Sequence, residues 1–157
     1  MKKTNLEVIS EAFENGGEFP VKYTGRGEEI SPPLGFINIT PEAKSITVIM
    51  DDPDTPLGTV THWLLWNIPA KYTRIRADVP RESIVESLGG ACQGRNVFRK
   101  TGYLGPKPPF GTHTYRIKVY VLDTFLDLKL KANKKQLEKA MEGHILQYGL
   151  LEGKFSR

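Results

Sequence analysis

The chain has one cysteine, Cys92, in 157 residues, so no disulfide can form within it. One Cys beside three His cannot build a cysteine-rich zinc site either. It also lacks any apolar run long enough to span a bilayer, and its opening "MKKTNLEVISEAFENGG" has no apolar stretch of the kind a secretory leader needs. The expected location is therefore cytoplasmic, with no membrane span. G-x-S-x-G, P-loop and H-E-x-x-H patterns are all missing, which removes the commonest signatures of acyl transfer, nucleotide phosphate binding and zinc hydrolysis. The 22 basic and 18 acidic residues are scattered, so the net charge of +4 does not mark a nucleic-acid surface. Arg95, Arg99 and Lys100 around Phe98 form one short basic-aromatic patch, read as a solvated loop.

What remains is the composition of one folded domain, expected over residues 1–157, with 15 Gly and 11 Pro fixing many turns. "SITVIM" (Ser45 to Met50) and "THWLLWNI" (Thr61 to Ile68) read as strands buried on both faces. Trp63 and Trp66 are expected in the core. "HTYRIKVYVL" alternates, with His113, Tyr115, Ile117, Val119 and Val121 on one face. Long Gly/Pro loops separate these runs, which favours a mainly β, antiparallel sandwich over alternating βα units. Near the end, Asn133 reads as an N-cap with Gln136 three residues on. Leu137, Ala140, Met141, Ile145 and Tyr148 then follow at helical spacing, so one helix is expected up to Gly149, with His144 a core residue and Gly143 packed closely on the sheet.

"DDPDTPLGTVTHWLLWNIP" (Asp51 to Pro69) holds the densest chemistry. Pro53 and Pro56 stiffen the segment after Asp52. An Asx turn is the plain reading of D-P-D taken alone. A structural role is the plain reading of His62. The proline-rich "GPKPPFGTHTY" brings His113 and Tyr115 to the start of another strand, so separate segments converge on one polar pocket.

These stretches, with "KYTGRGEEISPPLGF" and "AMEGHILQYGLLEGKFSR", resemble the phosphatidylethanolamine-binding protein family, in its bacterial and archaeal branch, similar also to the Raf kinase inhibitor protein. D-P-D-x-P followed by H-W, with P-P-x-G and H-x-Y, is specific as a set. The resemblance implies an antiparallel β-sandwich with a C-terminal α-helix and a pocket for phosphate or phosphomonoester head groups. By position, that pocket is Asp52, His62, Pro109, His113 and Tyr115. It also implies a binding protein that modulates a partner, or a protease or kinase inhibitor acting through its loops. No cofactor and no metal are implied. The chain departs from the usual pattern at Gly25-Arg26-Gly27, Glu29, Val97 and Lys107, which bears on ligand selectivity; Arg26 and Lys107 are read as solvated loop charges.

Asp52 is expected to orient His62, leaving its other ring nitrogen for the ligand. Tyr148 or Phe155 is expected to border the pocket. A metal-free hydrolase using Asp52, His62 and His113 is the weaker alternative, because no nucleophile accompanies them: Ser31 reads as a turn cap, and Cys92 has no activating neighbour in sequence. A metal held by the histidines with Asp52 or Asp54 ranks below a metal-free site. Oligomeric state stays open between monomer and homodimer.

Overall fold

The computed structural model describes residues 6–157. Ten strands and one α-helix follow in the order β1 (Glu7–Ile9), β2 (Gly17–Glu18), β3 (Leu34–Ile37), β4 (Ser45–Thr55), β5 (Gly58–Pro69), β6 (Arg74–Ile75), β7 (Ile84–Val85), β8 (Ala91–Gln93), β9 (Thr112–Leu122), α1 (Lys134–Met141) and β10 (Ile145–Ser156). They form a small sheet, β1-β3-β6, and a large one, β2-β10-β9-β4-β5-β8-β7. Every pairing is antiparallel except that of β2 with β10.

The large sheet is covered on both sides, which explains the continuous apolar runs of β4 and β5. One core contains Ile46, Val48, Met50, Trp63 and Leu65 together with Val8, Leu34 and Phe36 of the small sheet. The other contains Ile49, Leu64 and Trp66 beneath Leu137 and Met141 of α1. Successive side chains alternate between the two cores, as the strand period requires. β9 alternates as its sequence indicates, with His113, Tyr115, Ile117, Val119 and Val121 buried.

The same alternation separates the acidic pair. Asp51 is fully buried and meets Arg116, Lys118 and Lys134. Asp52 meets His113 of β9's buried row.

The C-terminal helix is present, with the expected capping box between Asn133 and Gln136, but it ends at Met141. Gly143 takes φ +81° in the turn that follows, outside the helix. Ile145–Ser156 is a strand in which Gln147, Gly149, Leu151, Gly153 and Phe155 are buried in strict alternation. Ile145 and Tyr148 match helical spacing by coincidence, whereas this period of two is what the chain obeys. Gly149 terminates nothing: a Cβ there would lie 2.7 Å from Val8 Cγ2 and 2.9 Å from Leu6 O, so glycine lets the first strand's segment cross β10. His144 is not a core residue either. It is exposed on the turn and pairs through Nδ1 with Asp123 Oδ1 at 2.9 Å.

Candidate functional site

β4 does not stop at Asp52. It runs on to Thr55, turns at Pro56 and Leu57, and returns as β5 from Gly58. Within this hairpin Asp52 does two things: Oδ1 accepts the Asp54 N–H at 2.8 Å, the Asx turn of the plain reading, and Oδ2 accepts His113 Nδ1–H at 2.6 Å. Asp54 in turn accepts the Thr114 N–H at 2.8 Å, fastening the hairpin to the start of β9.

The expected Asp52–His62 pairing is thus replaced by Asp52–His113, and the reason lies in the register. Met50 pairs with Trp63 and Asp51 with Thr61, so His62 is the extra residue of a β-bulge with no partner across β4. Bulges of this kind re-aim a side chain. His62 donates from Nδ1 to Leu104 O at 2.7 Å, while the Leu104 N–H donates to His62 O at 3.0 Å. Leu104 therefore clamps the histidine at both its ring and its backbone.

Both imidazoles use Nδ1–H for a protein acceptor, so in their neutral forms each Nε2 carries a lone pair and is an acceptor. Each becomes a donor to a ligand only on protonation. Burial holds the His62 pKa below its ordinary value, opposed by the Leu104 carbonyl and the charges of Asp52, Asp51 and Glu29. Tyr115 lies between the two rings, at 5.3 Å edge-on from His62 and 6.2 Å stacked on His113. Burial, then the charge of Asp52 and a hydrogen bond to it, raise the phenol far above its usual range. It keeps its proton.

The opposite wall comes from two loops drawn together by backbone bonds. Gly25 N–H donates to Pro106 O at 2.8 Å, Gly105 N–H to Glu29 Oε2 at 3.1 Å and Tyr103 Oη–H to Tyr23 O at 2.6 Å. A Cβ on Gly105 would stand 2.8 Å from Tyr23 O and 2.9 Å from Gly25 N, both unyielding backbone atoms. Gly105→Ala is therefore expected to force the loops apart and to destabilise the protein by about 1–3 kcal/mol. Chemical denaturation checks this, and a loss below about 0.5 kcal/mol would mean that the loops move freely.

All five side chains singled out in the sequence, Asp52, His62, Pro109, His113 and Tyr115, line one cavity of about 550 Å³. That is an ordinary size for a small-molecule site. Gly25, Glu29, Leu57, Val97, Phe98, Leu104 and Lys107 also line it. A groove of about 660 Å³ between the first strand's segment and β10 is roomier, but among the described residues no histidine and no cation lines it.

Phe155 is buried in the main core, and Tyr148 packs on Tyr120 at 5.1 Å, so neither lines the cavity. Of the departing residues, Gly25, Glu29, Val97 and Lys107 line it, while Arg26 is exposed and donates to Pro108 O at 3.3 Å. Ser31 is buried and accepts the Val79 N–H at 2.9 Å, a tie between distant loops rather than a local turn cap. Burial pushes the Cys92 thiol up, and neither Ser31 nor Cys92 reaches the cavity. Among the described residues no group of three or more His, Cys, Asp or Glu is gathered as a metal site, and no helix is long and apolar enough to cross a membrane.

Sequence reasoning missed Leu104 and the structural role of Glu29, whose contacts join residues 42 and 76 positions apart. No local pattern carries such links. The exposed apolar residues of the rim, Leu57 and Phe98, were visible as loop residues of the wrong polarity.

Comparison with known proteins places this chain in a family. The family model described as phosphatidylethanolamine-binding protein matches residues 9–156. A UPF0098 protein of Pyrococcus horikoshii is 48% identical over 158 residues, covering 99% of this chain and 79% of the relative. Another from Methanothermobacter thermautotrophicus is 43% identical, covering 97% and 99%. Among solved structures, a Chlamydia trachomatis protein described as a homologue of the phosphatidylethanolamine-binding proteins superposes with a TM-score of 0.89 at 33% identity, covering 97% of both chains. YbcL of E. coli, described as a member of the mammalian family, does so with 0.89 at 26% identity, covering 98% of this chain and 99% of its own. On the strength of a match that runs from the first strand to the last, this chain belongs to the phosphatidylethanolamine-binding protein family.

Proposed function

We propose that the cavity binds a small anion of the phosphate or phosphomonoester class, held between His62 and His113, and that the protein works by binding rather than by turnover. One observation carries the reading: two imidazoles, each fixed through Nδ1, and a phenol that keeps its proton converge on a pre-formed cavity. Protonated at Nε2, the two rings supply charge-assisted donors, while Tyr115 gives its own O–H to Asp52 and packs on both rings. Asp52 serves as the counter-charge of His113 and not as a ligand contact. Pro56, Pro108 and Pro109 in the walls lower the ordering cost of binding. Covalent catalysis would need a side-chain nucleophile, and the one aliphatic hydroxyl in the described lining, Thr55, donates to Gly58 O.

Histidine-resolved NMR during titration with inorganic phosphate, and separately with phosphoethanolamine, tests this. Saturable shifts of both His62 and His113 are expected in the wild type. They should be lost in His62→Gln, a variant that keeps most of the side-chain volume. Absence of shifts at either histidine would remove the anion from the site.

A second reading has the rim docking on a partner protein, with inhibition or modulation as the outcome. The observation favouring it is apolar exposure around the mouth: Leu57 is 94%, Phe98 68% and Phe110 76% exposed. Protease or kinase inhibition that survives His62→Gln and is lost in Phe98→Ser would support this reading over the first.

A further inference from the structure

In the small sheet β1 has a neighbour on one side only. Phe36 N–H donates to Thr73 O at 2.9 Å, so in β3 the main-chain groups of Leu34 and Phe36 face β6, and those of Gly35 and Ile37 face β1. The register pairs Glu7 with Ile37 and Ile9 with Gly35, so Glu7 and Ile9 spend their N–H and C=O groups on β3. Val8, between them, turns both of its groups the other way. Among the described residues no backbone hydrogen bond joins Val8 to a segment beyond the sheet.

Beside that open edge lies the groove of about 660 Å³, which shares no lining residue with the histidine cavity. Its floor is apolar, formed by Leu6, Val8, Phe13 and Leu151 of the main core. Its charges have one sign: Glu7 and Glu14 line it, both exposed, and among the described residues neither belongs to an ion pair. Glu11, the remaining acid of this segment, meets Arg74 at 3.7 Å in the neighbouring groove.

We propose that the open edge of β1 takes up an extended, basic segment of a partner protein as an added strand, with apolar side chains on the groove floor and Lys or Arg side chains beside Glu7 and Glu14. This surface is independent of the anion reading. Unpaired main-chain groups along a strand are matched by another extended main chain, and pockets for alternate side chains then set which sequence fits. Successive residues of the added strand point to opposite faces, so a segment alternating apolar and basic residues meets both the floor and the acids. From Leu6 to Ser10 the edge offers about 17 Å for pairing. The two glutamates repel an acidic segment and attract a basic one, which makes the edge selective as well as open.

The probe is the capped peptide acetyl-Thr-Lys-Val-Lys-Val-Lys-Thr-amide, added to the full chain while backbone amides are followed by NMR. Saturable shifts centred on Val8, with slowed exchange of its amide, are expected. The same peptide with Glu in place of Lys is expected to bind roughly tenfold more weakly. The double variant Glu7→Gln/Glu14→Gln, which changes exposed side chains only, is expected to bind the lysine peptide about fivefold more weakly at low salt. Methylating alternate backbone nitrogens separates main-chain pairing from charge. Of two peptides, one methylated at the valines and one at the lysines, that with its methyl groups toward β1 should lose binding while the other keeps it. Equal binding of the two methylated peptides, equal binding of the Glu and Lys peptides, or no shift from Leu6 to Ser10 would overturn the proposal. Shifts there that follow protein concentration with no peptide present would overturn it too, by giving the edge to a second copy.

Discussion

Asp51→Asn is expected to lower the free energy of unfolding by about 3–5 kcal/mol. Asp51 is fully buried, and its two oxygens meet Arg116 Nε at 2.8 Å, Lys118 Nζ at 2.8 Å and Lys134 Nζ at 2.9 Å. Three cations share one carboxylate. Replacing it with an amide leaves the shape unchanged but removes the charge that holds them, and it turns an NH₂ donor toward a group of donors. Lys134 is the first residue of α1, so the loss spreads to the docking of the helix on the sheet.

The pH dependence has a definite sign. Burial pushes the Asp51 carboxyl up, but the bonds to Arg116, Lys118 and Lys134 outweigh it and hold the pKa below the ordinary value. On acidification the unfolded chain takes up this proton first. The stabilisation is therefore present above about pH 4 and is lost as pH falls through the lower folded value. Denaturant unfolding of wild type and variant at neutral pH and near pH 3 should show a large gap that narrows in acid. A neutral-pH gap under about 1 kcal/mol would mean that solvent already screens the cluster.

Neighbouring residues of one acidic pair thus have unrelated roles, and this shows what the sequence could and could not reveal. The alternation of β9 and the double burial of β4 and β5 are local properties of the chain, and both were legible. So was the convergence of Asp52, His62, His113 and Tyr115, because prolines and strand starts mark where loops deliver side chains; Pro109 was added only by the family resemblance. The pairing within that group was not legible. Whether Asp52 meets His62 or His113 depends on one extra residue in β5, and nothing in the composition of "THWLLWNI" announces a bulge. The length of the helix was misread for a different reason: glycines at 149 and 153 weaken the strand signal, although they are there because Leu6, Val8, Phe13 and Phe19 pack against them. Tertiary packing decided between two periods that the sequence permits.

Sulfate, whose charge is constant across the accessible range, is expected to bind roughly tenfold tighter for each unit of pH decrease per proton taken up, from about pH 8 to below 6.5. The cause is the tautomer. Leu104 O takes the Nδ1–H of His62, and Asp52 takes that of His113, so neutral rings offer Nε2 lone pairs that repel an anion. Sulfate binding therefore draws a proton from solution onto His62. Burial lowers the His62 pKa in the free protein, so the steep region extends below the ordinary histidine value and flattens only once the free ring is itself charged.

The same shift acts on stability. The unfolded chain binds the His62 proton more readily than the folded one. Stability that is full above about pH 6.5 is lost as pH falls through the depressed folded value. Sulfate reverses this, because it binds the protonated folded form, and the rise in Tm that it produces should grow in acid. Calorimetric titration in two buffers of different ionisation enthalpy counts the protons directly. His62→Gln should lose one proton of uptake and its share of the slope. An affinity that stays flat from pH 5.5 to 8 with no proton uptake would show that backbone amides and Tyr115, rather than the histidines, hold the anion.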